Sequence, residues 1–342
     1  MAIGFYLVKG MNNLVLNCDA HDNYDGYSEG DSGNVDGFGG HANKETSTGN
    51  IFRGCRAWNN GDDGFDLINC YASYIIEYCW SFRNGYKPHS IESSGGNGAG
   101  FKSGGYGMGN IKKVPNPIPQ HTVRYCLAYY NRQQGFYSNH HLGGLIFENN
   151  TAYKNPSNYN MLNRKSSNEA VDVPGYGHII KNNLSLSPRN SGGFPQHLIN
   201  VDNTLSEIKN NSFAPNDLNL SESDFESLNE QELMGSRKSD GSLPDINFLR
   251  LTNHANFRFS GMGCFINEEA VDYSWIQEPA IVLENGVARI VGEDSKSFNK
   301  FYVNGEEVSI ENGIVDLTSM SGELNLKAIS ENGAVTTLII NK

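Results

Sequence analysis

Apolar and polar residues alternate in short bursts that recur along the first two-thirds of the chain. LVLNCDAH around Cys18, IFRGCRAW around Cys55, IIEYCWSF around Cys79 and TVRYCLAY around Cys126 share one pattern. IFENNTAY around Asn150, IIKNNLSL around Asn183 and EIKNNSFA around Asn211 continue it. Such alternation has the period of a half-buried strand, and each burst carries Cys or Asn in the same slot. The slots lie 37, 24, 47, 24, 33 and 28 residues apart, so a unit of about 24 residues carries insertions of variable size.

A second repeat runs in phase with the first. It comprises Gly4-Phe5, Asp36-Gly37-Phe38, Asp63-Gly64-Phe65-Asp66, Gly100-Phe101-Lys102 and Gly135-Phe136-Tyr137, and Asn160-Met161-Leu162 extends it. Ten residues separate Cys55 from Phe65 and Cys126 from Phe136, and eleven separate Asn150 from Met161, so both repeats describe one coil. Short strands, Asn- and Gly-rich turns and a period in the twenties predict an all-β chain built on a right-handed parallel β-helix. Within it, Asn150, Asn183 and Asn211 form an inward ladder, and Phe5, Phe38, Phe65, Phe101 and Phe136 a ring stack. Cys18, Cys55, Cys79 and Cys126 form a thiol column, whose parallel side chains are poorly placed for disulfides. Cys70 and Cys264 have no assigned place, and cysteine usage leaves the redox compartment open. A leucine-rich repeat lacks its leucines here, and a β-propeller would need hairpins between the units.

The pattern fails near Pro215. Residues 215–272 are irregular and acidic, and are predicted to cap the C-terminal end of the helix. Residues 273–342 return to short alternating strands split by Asn-Gly and Glu-Asn-Gly turns, which predicts a small antiparallel β-sandwich accessory domain. The catalytic domain is thus expected over 1–214. Its first residues enter at once on a repeat unit, so further turns are expected upstream in the natural protein.

Charge and hydropathy narrow the partners. A formal net charge of -12 with no Lys/Arg cluster excludes nucleic acid. No apolar run reaches the ~18 residues of a membrane helix, and no signal peptide is visible in this chain.

The candidate chemistry lies beside the Gly-Phe repeat. Asp36 and Asp63 precede it in successive turns, about 4.8 Å apart, with Asp62 and Asp66 alongside. Four carboxylates in so small a volume repel unless a cation joins them, and an oxygen-only donor set suits Ca²⁺. Lys102 holds the slot of Asp66 one turn on. Repulsion from the cation favours its neutral amine, a general base. Together these parts suit β-elimination on a uronate, with the cation on the carboxylate and Lys102 taking the C5 proton. A hydrolase would need one carboxyl kept protonated, a poor fit to acids gathered on a cation. Tyr137, Asn139, His140 and His141, then Asn163, Arg164 and Lys165, follow later repeats on the same face as candidate substrate contacts. Arg164 suits a second carboxylate. Lys87 and His89 fall in an insertion, 83–121, placed to wall the groove.

These motifs resemble polysaccharide lyase family 9, bacterial pectate and related lyases with a right-handed parallel β-helix. GDDGFD and GFKSGG, in that order, carry the resemblance over about residues 1–215; DGSLPDINFLRL and the trailing β domain add a weaker match. The resemblance implies Asp36, Asp62, Asp63 and Asp66 as calcium ligands and Lys102 as base. The family's substrates are homogalacturonan or an alternating rhamnose–galacturonate backbone, and the scarcity of basic residues near the site favours the latter. The protein is expected to be secreted, periplasmic or on the cell surface, and to act as a monomer on an acidic polysaccharide. The alternative is a non-catalytic β-helical carbohydrate-binding or adhesin-like protein.

Overall fold

The computed structural model describes residues 3–27, 32–107, 113–189, 196–213, 218–265, 279–284, 287–292, 295–311, 313–331 and 333–341. Two compact units emerge, 1–266 and 267–342. The expected boundaries near Pro215 and residue 272, and part of the 83–121 insertion, lie outside the described residues.

The first unit is a right-handed parallel β-helix. Each of the first six turns lays one short strand in each of three parallel sheets, and a seventh adds one to the first two. Sheet 1 holds Phe5–Leu7, Phe38–Gly40, Phe65–Asp66, Phe101–Lys102, Gln134–Tyr137, Ser157–Asn160 and Leu198–Ile199. Sheet 2 begins at Leu14–Leu16 and sheet 3 at Asp19–His21. The chain turns from sheet 2 into sheet 3 through one left-handed residue per turn. Asn17, Gly54, Tyr78, Tyr125, Asn149, Asn182 and Asn210 all lie at φ between 52° and 63°. The following residue, the Cys or Asn of the repeat, is thereby aimed inward.

Phe5, Phe38, Phe65, Phe101 and Phe136 stack at centroid spacings of 4.8–5.0 Å. Asn150 accepts from Cys126 N and bonds Asn183, which bonds Asn211. All six cysteines are free, and Cys55, Cys79 and Cys126 are fully buried in the core. A second ladder was not anticipated. Asn23, Asn60, Asn84, Asn131, Asn155 and Asn158 pass amide hydrogen bonds of 2.7–3.1 Å along the corner that enters sheet 1.

The sixth turn departs from the predicted register. Tyr159, not Met161, pairs with Phe136 and continues the ring stack at 4.9 Å. The tyrosine ring matches the stack where a methionine cannot, and its hydroxyl donates to Asn150 O and Leu184 O.

The irregular segment also differs from expectation. Residues 218–265 run along the outer face of sheet 3 instead of covering only the end of the helix. Phe225, Leu233, Phe248, Phe259 and Met262 pack on Trp58, Trp80, Leu127, Tyr153 and Leu184. Arg237 reaches back to the Asp19 carboxylate and Gly54 O near the first turns. The physical reason is the apolar outer surface of sheet 3, which must be buried along its length.

The second unit contains two antiparallel sheets of three and four strands. Ile281, Phe301, Val315, Leu326 and Ala328 form its core.

Candidate active site

The Gly-Phe repeat has a steric cause. A Cβ on Gly64 would lie 2.7 Å from Gly100 O and 2.0 Å from Ser81 Oγ, and Gly37, Gly100 and Gly135 each face the next turn's carbonyl at 2.7–2.8 Å. The backbone therefore stacks tightly at this corner, and the phenylalanine that follows points inward. The next residue must point outward. The in-register pairs Tyr6–Gly39, Gly39–Asp66, Asp66–Lys102, Lys102–Tyr137 and Tyr137–Asn160 define one outward column.

Three predicted acids converge beside this column. One carboxylate oxygen from each of Asp36, Asp63 and Asp66 lies within 4.8 Å of the others, and all three residues are buried. Backbone amides fix their orientations. Asp36 Oδ1 accepts from Asp63 N at 3.1 Å, Asp63 Oδ1 from Ala99 N at 2.6 Å, and Asp66 Oδ1 from Ile68 N at 2.8 Å. Lys102 Nζ donates to Asp63 Oδ2 at 3.0 Å and Asp66 Oδ2 at 3.1 Å. Asp62 stands apart from this group. Its oxygens accept from the backbone amides of Asn34 and Asn97, at 2.6 and 2.5 Å.

The electrostatics are those of a site with surplus negative charge. Burial pushes Asp36 well above the usual carboxylate range, and Asp66, Asp63 and Asp62 push it the same way. Burial carries Asp63 up to about 7, although Lys102 pulls it down. Burial also works against the charge on Lys102, but Asp63, Asp66, Asp36 and Asp62 outweigh it and hold the ammonium form. The expected neutral amine therefore requires the acids to be satisfied by another cation. Oxygen donors pinned by amides, converging and carrying more charge than one ammonium balances, fit Ca²⁺.

A cavity of about 200 Å³ adjoins this cluster. Asp63, Lys102, Tyr137, Asn139 and His140 line it. Asn97, Gln133 and Gln134 add amides that the sequence did not single out. Of the insertion, Asn97 therefore faces the cavity, whereas Lys87 and His89 line a separate one of about 230 Å³. Asn163 is fully buried and bonded to Gly143 O and His178, away from the cavity lining. Arg164 is buried with Nη2 3.7 Å from Asp172 Oδ1. His141 is a core residue between Pro119 O and Gly105 N, kept neutral by burial. Lys165 pairs with Glu169 at the surface. His41, also unanticipated, sits with Nε2 3.9 Å from Asp66 Oδ2 and its ring edge-on to Tyr6.

Residues 1–210 match the family model "Pel9A-like, right handed beta helix region", and residues 202–337 match "Rhamnogalacturonan lyase-like, C-terminal". Pectate lyase L of Dickeya chrysanthemi is 36% identical over 265 residues, which cover 78% of this chain and 54% of that protein. A solved rhamnogalacturonan lyase is similar with a TM-score of 0.71 and 55% identity, covering 78% of this chain and 63% of that one. The crystal structure of pectate lyase Pel9A is similar with a TM-score of 0.58 and 33% identity, covering 74% and 55%. The chain spans about half the length of the curated relatives it matches.

Proposed function

The chain belongs to the Pel9A-like right-handed β-helix family, and we propose that it is a calcium-dependent lyase that cleaves a galacturonate-containing pectic backbone by β-elimination. The observation that carries this reading is the convergence of Asp36, Asp63 and Asp66 within 4.8 Å, with Lys102 bonded to two of them beside an open cavity. The family's relatives named pectate lyase and rhamnogalacturonan lyase support the substrate class.

Asp36, Asp63 and Asp66 would hold the ion, with Asp62 orienting the Asn97 turn beside it. Bound there, Ca²⁺ would supply positive charge that acidifies the C5–H bond of a uronate. With the acids so occupied, their pull on the Lys102 ammonium would weaken. The amine then takes the C5 proton. Asn139 and the amides of Asn97, Gln133 and Gln134 offer uncharged hydrogen bonds to sugar hydroxyls.

The outward column favours an alternating backbone over homogalacturonan. Lys102 is its one cation among the described residues, flanked by Asp66, Gly39 and Tyr6 on one side and by Tyr137 and Asn160 on the other. Column positions without cations suit a neutral sugar on either side of the reacting uronate. A galacturonan would place a carboxylate at each.

The test uses polygalacturonate and rhamnogalacturonan, each with Ca²⁺ or with chelator, following the ultraviolet absorbance of the unsaturated product. Absorbance should rise with Ca²⁺ and more strongly on rhamnogalacturonan. Lys102→Ala should lose about 10²–10⁴-fold in rate with its circular dichroism unchanged. Reducing ends released without unsaturated product would sink the lyase reading in favour of hydrolysis.

A further inference from the structure

We propose that Tyr137 delivers the proton that the departing sugar oxygen requires, with His140 and Asp172 holding and recharging its hydroxyl. This inference rests on the lyase reading.

Elimination needs two proton transfers, one from C5 and one to the leaving oxygen. Lys102 and the acids account only for the first. On a galacturonate ring, the C5–H and C4–O4 bonds lie on opposite faces. Base and acid must therefore flank the ring instead of sharing one side. Lys102 and Tyr137 extend side by side from successive turns into one cavity, so a ring standing edge-on between their ends would turn one face to the amine and the other to the phenol.

Tyr137 is built into a hydrogen-bonded chain. Its hydroxyl lies 2.9 Å from His140 Nε2, and His140 Nδ1 lies 2.6 Å from Asp172 Oδ1. The two rings meet edge to face at 5.9 Å. Asp172 comes from a different element, the strand Glu169–Val173, which pairs antiparallel with Asn163–Ser166. That hairpin leaves the helical repeat and brings Asp172 back to His140. Arg164, opposite Asp172 in the hairpin, lies 3.7 Å from the same carboxylate oxygen. Asn139 and His140 both adopt left-handed backbone, at φ 54° and 57°. Non-glycine residues pay for this conformation with roughly 1 kcal/mol or more each. Here it folds the imidazole back onto a residue only three positions earlier. Burial raises the Tyr137 hydroxyl to about 12, and Asp172 pushes it the same way against Lys102 and Arg164. The phenol therefore keeps its proton at neutral pH, as an acid must.

Lys102 Nζ takes the C5 proton, and the C5–H pair becomes the C4=C5 double bond. The C4–O4 bond breaks with its pair on O4, which takes the Tyr137 hydroxyl proton. His140 then passes its Nε2 proton to the phenolate oxygen, while Asp172 keeps hold of Nδ1–H. Exchange with water returns Lys102 and His140 to their starting forms.

The experiment compares the natural backbone with an oligosaccharide of the same backbone in which a nitrophenol replaces the departing sugar. Nitrophenolate leaves without a proton. Tyr137→Phe should lower kcat on the natural substrate by about 10²-fold or more with little change in KM, and run within a few-fold of the unaltered protein on the aryl substrate. Asp172→Asn keeps a partner for Nδ1 but removes the charge. It should slow the natural substrate by about tenfold and spare the aryl one. Lys102→Ala should slow both. An equal defect of Tyr137→Phe on the two substrates, or kcat on the natural one within about threefold of the unaltered protein, would overturn the assignment. No unsaturated product from the unaltered protein on any backbone would instead overturn the lyase reading itself.

Discussion

The two faces of sheet 1 share one spacing and follow opposite rules. Inward, Phe5, Phe38, Phe65, Phe101, Phe136 and Tyr159 stack with interplanar angles of 4–15°. Outward, the same strands present Tyr6, Gly39, Asp66, Lys102, Tyr137 and Asn160, with no residue type repeated in adjacent turns. Repetition at this distance suits rings, amides and thiols, which gain from identical neighbours. It penalises carboxylates, which repel. Where a solenoid abandons repetition on one face and keeps it on the other, the abandoned face is the one to examine for chemistry.

The largest effect should come from breaking the inward face. Phe101 is fully buried between Phe65 and Phe136. Phe101→Ala should cost about 3–5 kcal/mol in denaturant unfolding, because neither neighbour can close a ring-sized gap without abandoning its own partner. Tyr137→Phe, which removes one oxygen from the outward face, should cost far less. Equal costs would mean that the contrast between the faces is not energetic.

The next effect sharpens the outward side. The pKa of Asp63 is raised from 3.8 to about 7, so in the absence of metal the folded state holds this proton more tightly than the unfolded chain. The stability it contributes is full below about pH 4 and is lost as pH rises through about 7. Buried imidazoles work the other way. His141 and His178 are pushed down to about 4 and about 3, and His121 is also lowered, so their contribution is lost as pH falls. The informative quantity is therefore the difference between the unaltered protein and Asp63→Asn in chelator. The variant should gain in relative stability between pH 4 and 7, by no more than about 1.4 kcal/mol per pH unit for the one proton concerned. A difference independent of pH would show that Asp63 is ionised throughout.

Much of this was legible in the sequence, for a physical reason. Parallel in-register stacking forces equivalent side chains into equivalent slots, so Phe38, Phe65 and Phe101, and Asn150, Asn183 and Asn211, announce themselves by spacing alone. Asp66 and Lys102 stand out as departures within that frame. The frame slipped at the sixth turn because Asn-Met was matched to Gly-Phe by its distance from Asn150, whereas the ring stack selects Tyr159. Asp172 was out of reach of any periodic argument, since its hairpin lies outside the repeat. The lateral course of 218–265 is likewise set by the apolar outer residues of sheet 3, which alternation alone does not distinguish from core.

The second asparagine ladder was available and went unread. Asn23, Asn60, Asn84, Asn131 and Asn155 each follow the Cys or Asn slot by five residues. They turn the chain from sheet 3 into sheet 1, directly beneath the glycines of the Gly-Phe repeat. Asn84 is fully buried; its Oδ1 accepts from Asn60 N and Asn60 Nδ2, and its Nδ2 donates to Ala57 O and Asn131 Oδ1. Asn84→Ala strands these partners in a place that water cannot readily reach. The expected cost is about 1–3 kcal/mol, less than that of a lost ring because the turn can relax. Its location matters more than its size. Asn84 Nδ2 lies 2.9 Å from where a Cβ of Gly64 would be, so it supports the turn that carries Asp63 and Asp66. Hydrogen exchange should quicken at the Gly64 and Phe65 amides, and Ca²⁺ should bind more weakly. Asn183→Ala, on the ladder at the far corner, should cost similar stability and leave Ca²⁺ affinity unchanged. If both variants weaken Ca²⁺ alike, the corner entering sheet 1 holds no privileged position, and the acids owe their placement to the helix as a whole.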